Sequence, residues 1–396
     1  GGTRFPPFFF GGFFMADFIF RISPNIVLGS YTSSRIGQFV REWGTRYILL
    51  VDPVLNEFGV VSKIEQSLQD RKIDYFIFDT IPASPDTEVL QQCLDLAREA
   101  HVHGVIAIGG TKAANIGRAV AALYHESHDI YDYLEGAQPT TGALPLICIP
   151  TTIRDSFMFL DKTPIVDARS RQIKLLKLQP GVCKLALFDP NLTVSLTENQ
   201  KASMTLQTLC IAIESYLSQK ANFFSDTIVE KAVELLNYGI EGSPTLTTTT
   251  PKEMLLVEGG CMASLAASSS SIGVASIIAY AINARYKISR SLTTAILFPY
   301  MIEDASKFKS DKLGKIARIM GLTAESSSEE AAAIALADFV RNKLALAKLP
   351  ARLKDLGVSI EQLALAAEDA SQLELMTTMP RSMTADDLFD IIKQAY

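Results

Sequence analysis

The order of hydrophobic patterns along the chain constrains its fold more than any other feature. In the first half, short apolar runs rich in β-branched residues alternate with stretches of helical periodicity. The apolar runs are 47–51, 75–78, 105–108, 146–149 and 185–188, and the helical stretches are 34–42, 60–69, 87–100 and 113–124. Near-continuous apolar runs are typical of parallel strands that helices cover on both faces. The pattern therefore predicts a doubly wound, Rossmann-like α/β domain.

The second half has a different pattern. From about residue 198 to residue 396 the sequence shows only helical periodicity, interrupted by a turn-rich stretch at 242–250 and a Ser/Glu-rich run near Ser326. A chain of 396 residues is too long for one ordinary hydrophobic core. We therefore expect two domains, an α/β domain at 15–195 and an all-α C-terminal domain at 196–396.

Composition argues against several classes of protein. The net charge is −6 and the basic residues are dispersed, so a nucleic-acid partner is not expected. The cysteines never form a CxxC pair, which argues against a disulfide framework and a thiolate zinc site and fits free thiols in a cytoplasmic protein. They are Cys93, Cys148, Cys183, Cys210 and Cys261. The uncharged run 259–284 contains four consecutive serines, so we expect a buried core helix and no membrane span.

The first 14 residues combine six Phe, four Gly and two Pro ahead of Met15. This extension at 1–14 has neither helix nor strand periodicity. It makes a poor signal peptide, because it lacks a long apolar region and a small-residue cleavage site. Two interpretations stay open: an upstream extension outside the fold, or a tail whose Phe side chains are buried on a neighbouring subunit and build a larger assembly.

Asp52 directly follows the first predicted strand of the α/β half. Open α/β sheets bind their ligands at the carboxyl ends of the strands. A carboxylate there accepts hydrogen bonds from a ribose 2′-hydroxyl and repels a 2′-phosphate, which favours NAD over NADP. The alternative is an ordinary turn or cap before Pro53.

Two further loops follow predicted strands at the same edge. Gly109 and Gly110 lead from a strand into a helix, which brings the backbone close to a pyrophosphate at the helix N-terminus or simply makes a tight turn. Thr151 and Thr152 follow the next strand, as hydroxyls for a ribose or amide or as caps. Together these loops predict a dinucleotide site.

Several segments, taken in order, resemble the iron-containing alcohol dehydrogenase family, which pairs a nucleotide-binding α/β domain with a helical metal domain. Among them are VIAIGG, IPTT, LFDPNLTVSLTENQKASM, AIESYLSQKANFFSD, TTAILFPYMIED and MPRSMTADDLFDIIKQAY. The resemblance covers nearly all of 15–396. It implies an NAD(P)-dependent oxidoreductase that acts on a small alcohol/carbonyl pair, with NAD(H) as cofactor, in a homo-oligomer.

The glycine loop departs from the family pattern of three glycines and a serine, followed three residues later by an aspartate. The corresponding residues here are Gly109, Gly110, Thr111, Lys112 and Asn115. Thr111 adds a side chain where the family has none, while Lys112 supplies a cation that can meet a phosphate. These residues remain the candidates for cofactor binding.

The residues at the family's metal-binding positions depart further from the family pattern. The family holds iron or zinc with an aspartate, a histidine four residues later and two more histidines, and the resemblance places Gln207, Ile211, Ser276 and Arg290 at these positions. A further family histidine corresponds to Tyr280. The histidines of the whole chain are His101, His103, His125 and His128, so the helical half contains none. Divalent iron and zinc need imidazole, thiolate or carboxylate donors, so we expect neither metal.

Two hypotheses for function follow. In one, the protein is an oxidoreductase that works without the family metal, with Arg290 as electrophile and Tyr280 as proton donor. In the other, it is a catalytically silent member of the family that binds a nucleotide or serves as a structural, oligomeric subunit. Arg290 itself is either this electrophile or the partner of a carboxylate such as Glu258 or Asp226.

Overall fold

The computed structural model describes residues 19–241 and 251–396. The Phe-rich extension and the turn-rich stretch at 242–250 lie outside the described residues. The described strands are β1 (Asn25–Leu28), β2 (Arg46–Val51), β3 (Asp74–Phe78), β4 (Gly104–Gly109), β5 (Leu146–Pro150), β6 (Lys162–Val166), β7 (Ile173–Lys177) and β8 (Cys183–Phe188). Six of them form one sheet in the order β1-β8-β5-β4-β2-β3, and every neighbouring pair is parallel.

The predicted α/β fold is confirmed, and each of the five predicted strands lies in this sheet. Two features were missed. The edge strand β1 is half exposed, and its apolar run at 26–28 is only three residues long. The antiparallel hairpin β6-β7 contains three Lys, one Thr and Pro164 among its apolar residues, so it does not have the pattern of a buried parallel strand.

Helices cover both faces of the sheet. In this half they are α1 (Ile36–Val40), α2 (Val60–Gln69), α3 (Thr87–Glu99), α4 (Thr111–Leu123) and α5 (Ile130–Leu134), with short 3-10 helices at Ser33–Arg35, Pro53–Phe58 and Pro190–Ser195. The single helix expected at 34–42 is therefore a 3-10 turn followed by α1, and α5 was not predicted. Asp86 caps α3 by accepting from the backbone amides of Glu88 and Val89.

The described residues from 198 onward form helices joined by loops, as predicted. The helices are α6 (Glu198–Leu217), α7 (Phe223–Glu241), α8 (Lys252–Ser269), α9 (Val274–Tyr286), α10 (Arg290–Ile319), α11 (Glu329–Leu346), α12 (Ile360–Ser371) and α13 (Ala385–Ala395), with 3-10 helices at Leu353–Leu356 and Glu374–Thr378. One hydrophobic core runs from one face of the sheet into this helical half, and a second lies between the other face and α1 and α2. The loop between β5 and β6 therefore lies where the two halves of the molecule pack together.

The uncharged run 259–284 is buried, but it is not one helix. The chain bends by 96° between α8 and α9. Within the described residues no single helix is long and apolar enough to cross a membrane, although this bent pair passes a test of length and composition. The five cysteines are buried and free.

Candidate functional site

The glycine loop lies at the carboxyl edge of the sheet, between β4 and α4. Gly109 has a φ of 148°, and a Cβ there would lie 2.8 Å from the Cβ of Asp52, so only glycine fits. Gly110 begins α4 with no side-chain cap. The first-turn amides of α4 therefore point into the space where an anion can accept from them.

Asp52 lies beside this loop and forms an ion pair with Lys112. The Lys112 Nζ is 3.2 Å from Asp52 Oδ1, and the Asp52 side chain is 13% exposed. The fold thus brings together Asp52, the glycine pair and Lys112, all predicted as cofactor-binding residues. Asp52 is already engaged by a cation of the same loop, which the sequence did not indicate.

Arg290 begins α10 and reaches across to the α/β half. Its guanidinium donates a hydrogen bond to the Thr111 hydroxyl and lies over the Tyr280 ring, with Cζ 4.4 Å from the ring centroid. Among residues 19–241 and 251–396, no carboxylate oxygen lies within 4.0 Å of this guanidinium. The suggested pairing with Asp226 is wrong, because Asp226 binds Lys312 at 3.1 Å.

Arg154 is a candidate site residue that the sequence analysis did not include. It lies in the loop after β5 and is 7% exposed. Its Nε donates to Gln207 Oε1 at 2.7 Å and its Nη1 donates to Thr152 Oγ1 at 3.1 Å. Burial lowers the pKa of Arg154 to about 10, and the charge of Arg290 adds to the effect. The sequence signal was the bulky, charged stretch at 153–157, which under the resemblance takes the place of a stretch of small residues.

A network of buried polar contacts fixes the loop that carries Arg154. Asp155 forms an ion pair with the buried guanidinium of Arg118, and its backbone amide donates to Ser264 Oγ on α8 at 2.9 Å. Gly260, one turn earlier on α8, lies against this loop so closely that a Cβ would be 1.7 Å from the Ile153 carbonyl oxygen. The backbone on both sides of Arg154 is therefore held by α8.

Two of the other predicted cofactor residues make contacts within the protein. The Asn115 amide oxygen accepts from Arg118 Nη1 at 2.6 Å and from the Thr163 hydroxyl at 3.2 Å. Thr151 donates its backbone amide to the Gly109 carbonyl at 3.0 Å, which joins the ends of β4 and β5. Both side chains are buried close to the glycine loop.

The residues that the resemblance places at the family's metal positions have contacts of their own in this structure. Gln207 binds Arg154, Ile211 is buried, and Ser276 donates from its hydroxyl and its backbone amide to the buried Glu214, at 2.5 and 3.0 Å. Burial raises the pKa of Glu214, and the hydrogen bonds from Ser276 only partly offset the rise. Nowhere in the described chain do three His, Cys, Asp or Glu side chains come close enough to hold a metal ion. The residues present do not fit a divalent iron or zinc ion.

The space at the site is small. A cavity of about 40 Å³ is lined by Lys112, Asn115, Tyr280 and Arg290, and one of about 10 Å³ lies between the glycine loop and Arg154. Phe157 packs edge-on against the Tyr280 ring, with centroids 5.8 Å apart. A larger cavity of about 390 Å³ lies among α6, α7, α8 and α11, and its described lining includes neither Arg154 nor Arg290.

Comparison with known families identifies the chain. A family model for iron-containing alcohol dehydrogenases matches residues 23–190, and the model for the C-terminal part of the same family matches residues 201–396. This protein belongs to the iron-containing alcohol dehydrogenase family. The resemblance inferred from the sequence segments is therefore confirmed.

Curated relatives match over nearly their full length. Alcohol dehydrogenase 4 of Saccharomyces cerevisiae is 24% identical over 381 residues, which cover 95% of this chain and 98% of the relative. Lactaldehyde reductase of Escherichia coli is 26% identical over 353 residues, which cover 88% of this chain and 91% of the relative. Family membership thus rests on the whole chain and not on one motif.

Solved structures of this fold superimpose closely. A 1,3-propanediol oxidoreductase has a TM-score of 0.87 at 20% identity and covers 96% of this chain and 100% of its own. An alcohol dehydrogenase from Oenococcus oeni has a TM-score of 0.86 at 20% identity, with 96% and 100% covered. At this level of identity the likeness shows the fold alone. The division of the chain at residue 195 stays a prediction.

Proposed function

We propose that this protein is an NAD(H)-dependent oxidoreductase that interconverts an alcohol and a carbonyl compound without the metal of its family. The observation that supports the proposal is the position of Arg154 and Arg290. One guanidinium binds the side chain at a metal-ligand position, and the other lies over Tyr280. Fixed positive charge is thus available where the family uses a divalent ion.

The cofactor fits the sheet edge on chemical grounds. The uncapped N-terminus of α4 and the Lys112 ammonium would hold a pyrophosphate, and Thr152 lies beside them. Asp52 would accept from a ribose 2′-hydroxyl once it is released from Lys112, so NADH is expected to bind more tightly than NADPH. When bound, the nicotinamide supplies or accepts the hydride.

Side chains of the protein stabilise the developing charge and donate the proton. A guanidinium stabilises the negative charge that develops on the carbonyl oxygen during reduction. The Tyr280 hydroxyl is the proton donor to that oxygen, and the aromatic contact with Phe157 keeps the tyrosine ring in place. The close packing around the ring excludes water from the reacting atoms.

The small cavities favour a second candidate function, a catalytically silent member of the family. The spaces of about 40 and 10 Å³ are too small for a dinucleotide unless the two halves of the molecule move apart. A protein held in this closed form would keep the fold as a nucleotide sensor or as a structural subunit.

Three measurements on the purified protein separate these functions. NADH fluorescence is titrated with the protein, a panel of aldehydes and ketones is tested with EDTA or with added Fe²⁺ or Zn²⁺, and the metal content is determined by elemental analysis. The proposal expects NADH binding, turnover that EDTA does not abolish, and no stoichiometric iron or zinc. About one bound metal per chain, or turnover that requires added metal, would overturn it. Absence of both NADH binding and turnover would favour the silent protein.

A further inference from the structure

Arg154 and Arg290 lie together without an acidic partner. Their hydrogen-bond acceptors are neutral: Gln207 and Thr152 for Arg154, and Thr111 for Arg290. In the part of the chain that the structure describes, neither arginine takes part in an ion pair. Two neighbouring positive charges, one buried and one partly buried, are unfavourable unless an anion lies between them.

Other arginines of this structure do have carboxylates. Arg118, which is 1% exposed, forms an ion pair with Asp155, and the partly buried Arg171 and Arg285 bind Asp86 and Asp369. Asp155 is the residue next to Arg154, but it is committed to Arg118 and to the backbone amide of Phe157. The partly buried Arg98 also lacks a carboxylate, but three backbone carbonyl oxygens accept from its guanidinium, whereas Arg154 and Arg290 have only one or two side-chain acceptors each.

Both side chains have guanidinium N–H groups left over for a ligand. Nε and Nη1 of Arg154 are held by Gln207 and Thr152, and Nη2 makes no hydrogen bond to any described residue. Arg290 uses Nη2 for Thr111 and borders the cavity of about 40 Å³, whose described lining includes Lys112 and no Asp or Glu. Free guanidinium N–H groups match the planar oxygen pair of a carboxylate.

We propose that Arg154 and Arg290 together bind the carboxylate of the substrate and that Arg290 also faces the adjacent carbonyl oxygen, so that the substrate class is 2-oxo acids and 2-hydroxy acids. The inference rests on the proposed function for the reaction, while the binding of the anion stands independently. A phosphate of the nucleotide is the other source of negative charge near Arg290. The two sources are distinguishable, because a substrate carboxylate binds alongside NADH and a group in the phosphate site competes with it.

The test is calorimetry of the full chain with oxamate, a carboxylate that cannot be reduced, and with ethyl oxamate as its neutral control. We expect oxamate to bind with and without NADH, and ethyl oxamate not to bind. Arg154→Gln and Arg290→Gln should each weaken oxamate binding about ten-fold or more, since each removes a charge-assisted hydrogen bond. Arg341→Gln, which removes a surface arginine that pairs with Glu303, is the matched control and should bind as the wild type does.

The outcomes are separable. No oxamate binding, equal binding of ethyl oxamate, unchanged affinity in both variants, or competition with NADH would each overturn the inference. If Arg154→Gln does not fold, the Arg290→Gln variant decides, because Arg290 is only partly buried. NADH binding and reduction of methyl pyruvate but not pyruvate would leave the proposed function standing and overturn this inference. Oxamate binding without any NADH binding would support the anion site and overturn the proposed function.

Discussion

Arg118 and Arg154 are both buried beside Asp155, yet the protein treats their charges differently. Arg118 forms an ion pair with Asp155 and also donates to the amide oxygen of Asn115. Arg154, 7% exposed, donates only to neutral oxygens of Gln207 and Thr152. One region joins strands and loops of the α/β half, and the other faces α6 at a position where the family places a metal ligand.

This difference indicates that the two arginines have different roles, one in stability and one in ligand binding. A buried charge with its partner in place holds the structure together, and removing the partner is strongly destabilising. A buried charge without a partner lowers stability and is available for a ligand. The comparison gives opposite expectations for neighbouring residues, and the variants below test them.

The largest effect is expected for Asp155→Asn. It leaves Arg118 buried without a counter-charge, so the free energy of unfolding should fall by about 3–5 kcal/mol. Urea denaturation followed by circular dichroism measures it. Arg154→Met, one residue away, is the control and should leave the free energy of unfolding within about 1 kcal/mol of the wild type or raise it. Equal losses in both variants would remove the distinction between the two arginines.

A smaller loss is expected for Gly260→Ala. The added methyl group would meet the carbonyl oxygen of Ile153, so α8 and the Arg154 loop must move apart. Overpacking of this kind lowers the free energy of unfolding by roughly 1–3 kcal/mol. Gly142→Ala is the control, because a Cβ there has no atom within 4 Å. An unchanged stability in Gly260→Ala would show that the loop is not held by α8.

Gln207→Asp should give Arg154 the carboxylate that it lacks. The contact between Arg154 Nε and residue 207 becomes charge-assisted, and we expect a gain of about 1 kcal/mol in the free energy of unfolding. Oxamate should bind more weakly, because the internal carboxylate competes for the same guanidinium. Gln207→Asn, a neutral change of the same length, controls for side-chain size. If the Gln207→Asp protein is less stable than the wild type, the positive charge of Arg154 is already compensated by another group.

The smallest effect concerns pH and Glu214. Because burial raises the pKa of Glu214 in the fold above its ordinary 4.5, the unfolded chain releases the proton first. The wild type should therefore lose stability as pH rises from about 4.5 towards the raised folded pKa, and Glu214→Gln should lack this loss. Urea denaturation at several pH values measures the difference between the two proteins. If the difference in the free energy of unfolding between the two proteins does not change with pH, the raised pKa of the buried Glu214 carboxyl is contradicted.

Glu126 is a second buried carboxylate, and its pKa is shifted in the opposite direction from that of Glu214. Its burial would raise the pKa, but hydrogen bonds from Thr141 and Tyr133 outweigh this and lower it to about 2. Its contribution to stability is present above the ordinary pKa and is lost as pH falls towards 2. Glu126→Gln should therefore differ most from the wild type near neutral pH and least in acid.

The strands and helices that could be predicted are those with a clear hydrophobic pattern in their own residues. The runs at 47–51 and 105–108 are buried on both faces of the sheet, so their apolar character alone identifies them. The edge strand β1 was missed because its apolar run, at 26–28, is only three residues long. The single helix expected at 259–284 was wrong, because the break lies in the polar residues between α8 and α9.

The site was less predictable because its contacts join distant segments. Arg154 meets Gln207 only after α6 packs against the loop that follows β5, and nothing near either residue in the sequence indicates the pairing. The ion pair of Asp52 with Lys112 likewise depends on two adjacent strands ending together. The roles predicted for Arg290 and Tyr280 stay predictions, although the structure does place the two side chains in contact.

The hydrogen bond from Arg290 to Thr111 joins the first turns of α10 and α4, one from each half of the molecule. A ligand that enters between these helices has to replace this bond, so only molecules in which it is open are competent to bind. The observed dissociation constant then equals the intrinsic constant divided by the open fraction. Thr111→Ala, which removes the acceptor, would enlarge that fraction, and the first ligand to enter would make the entry of the second easier.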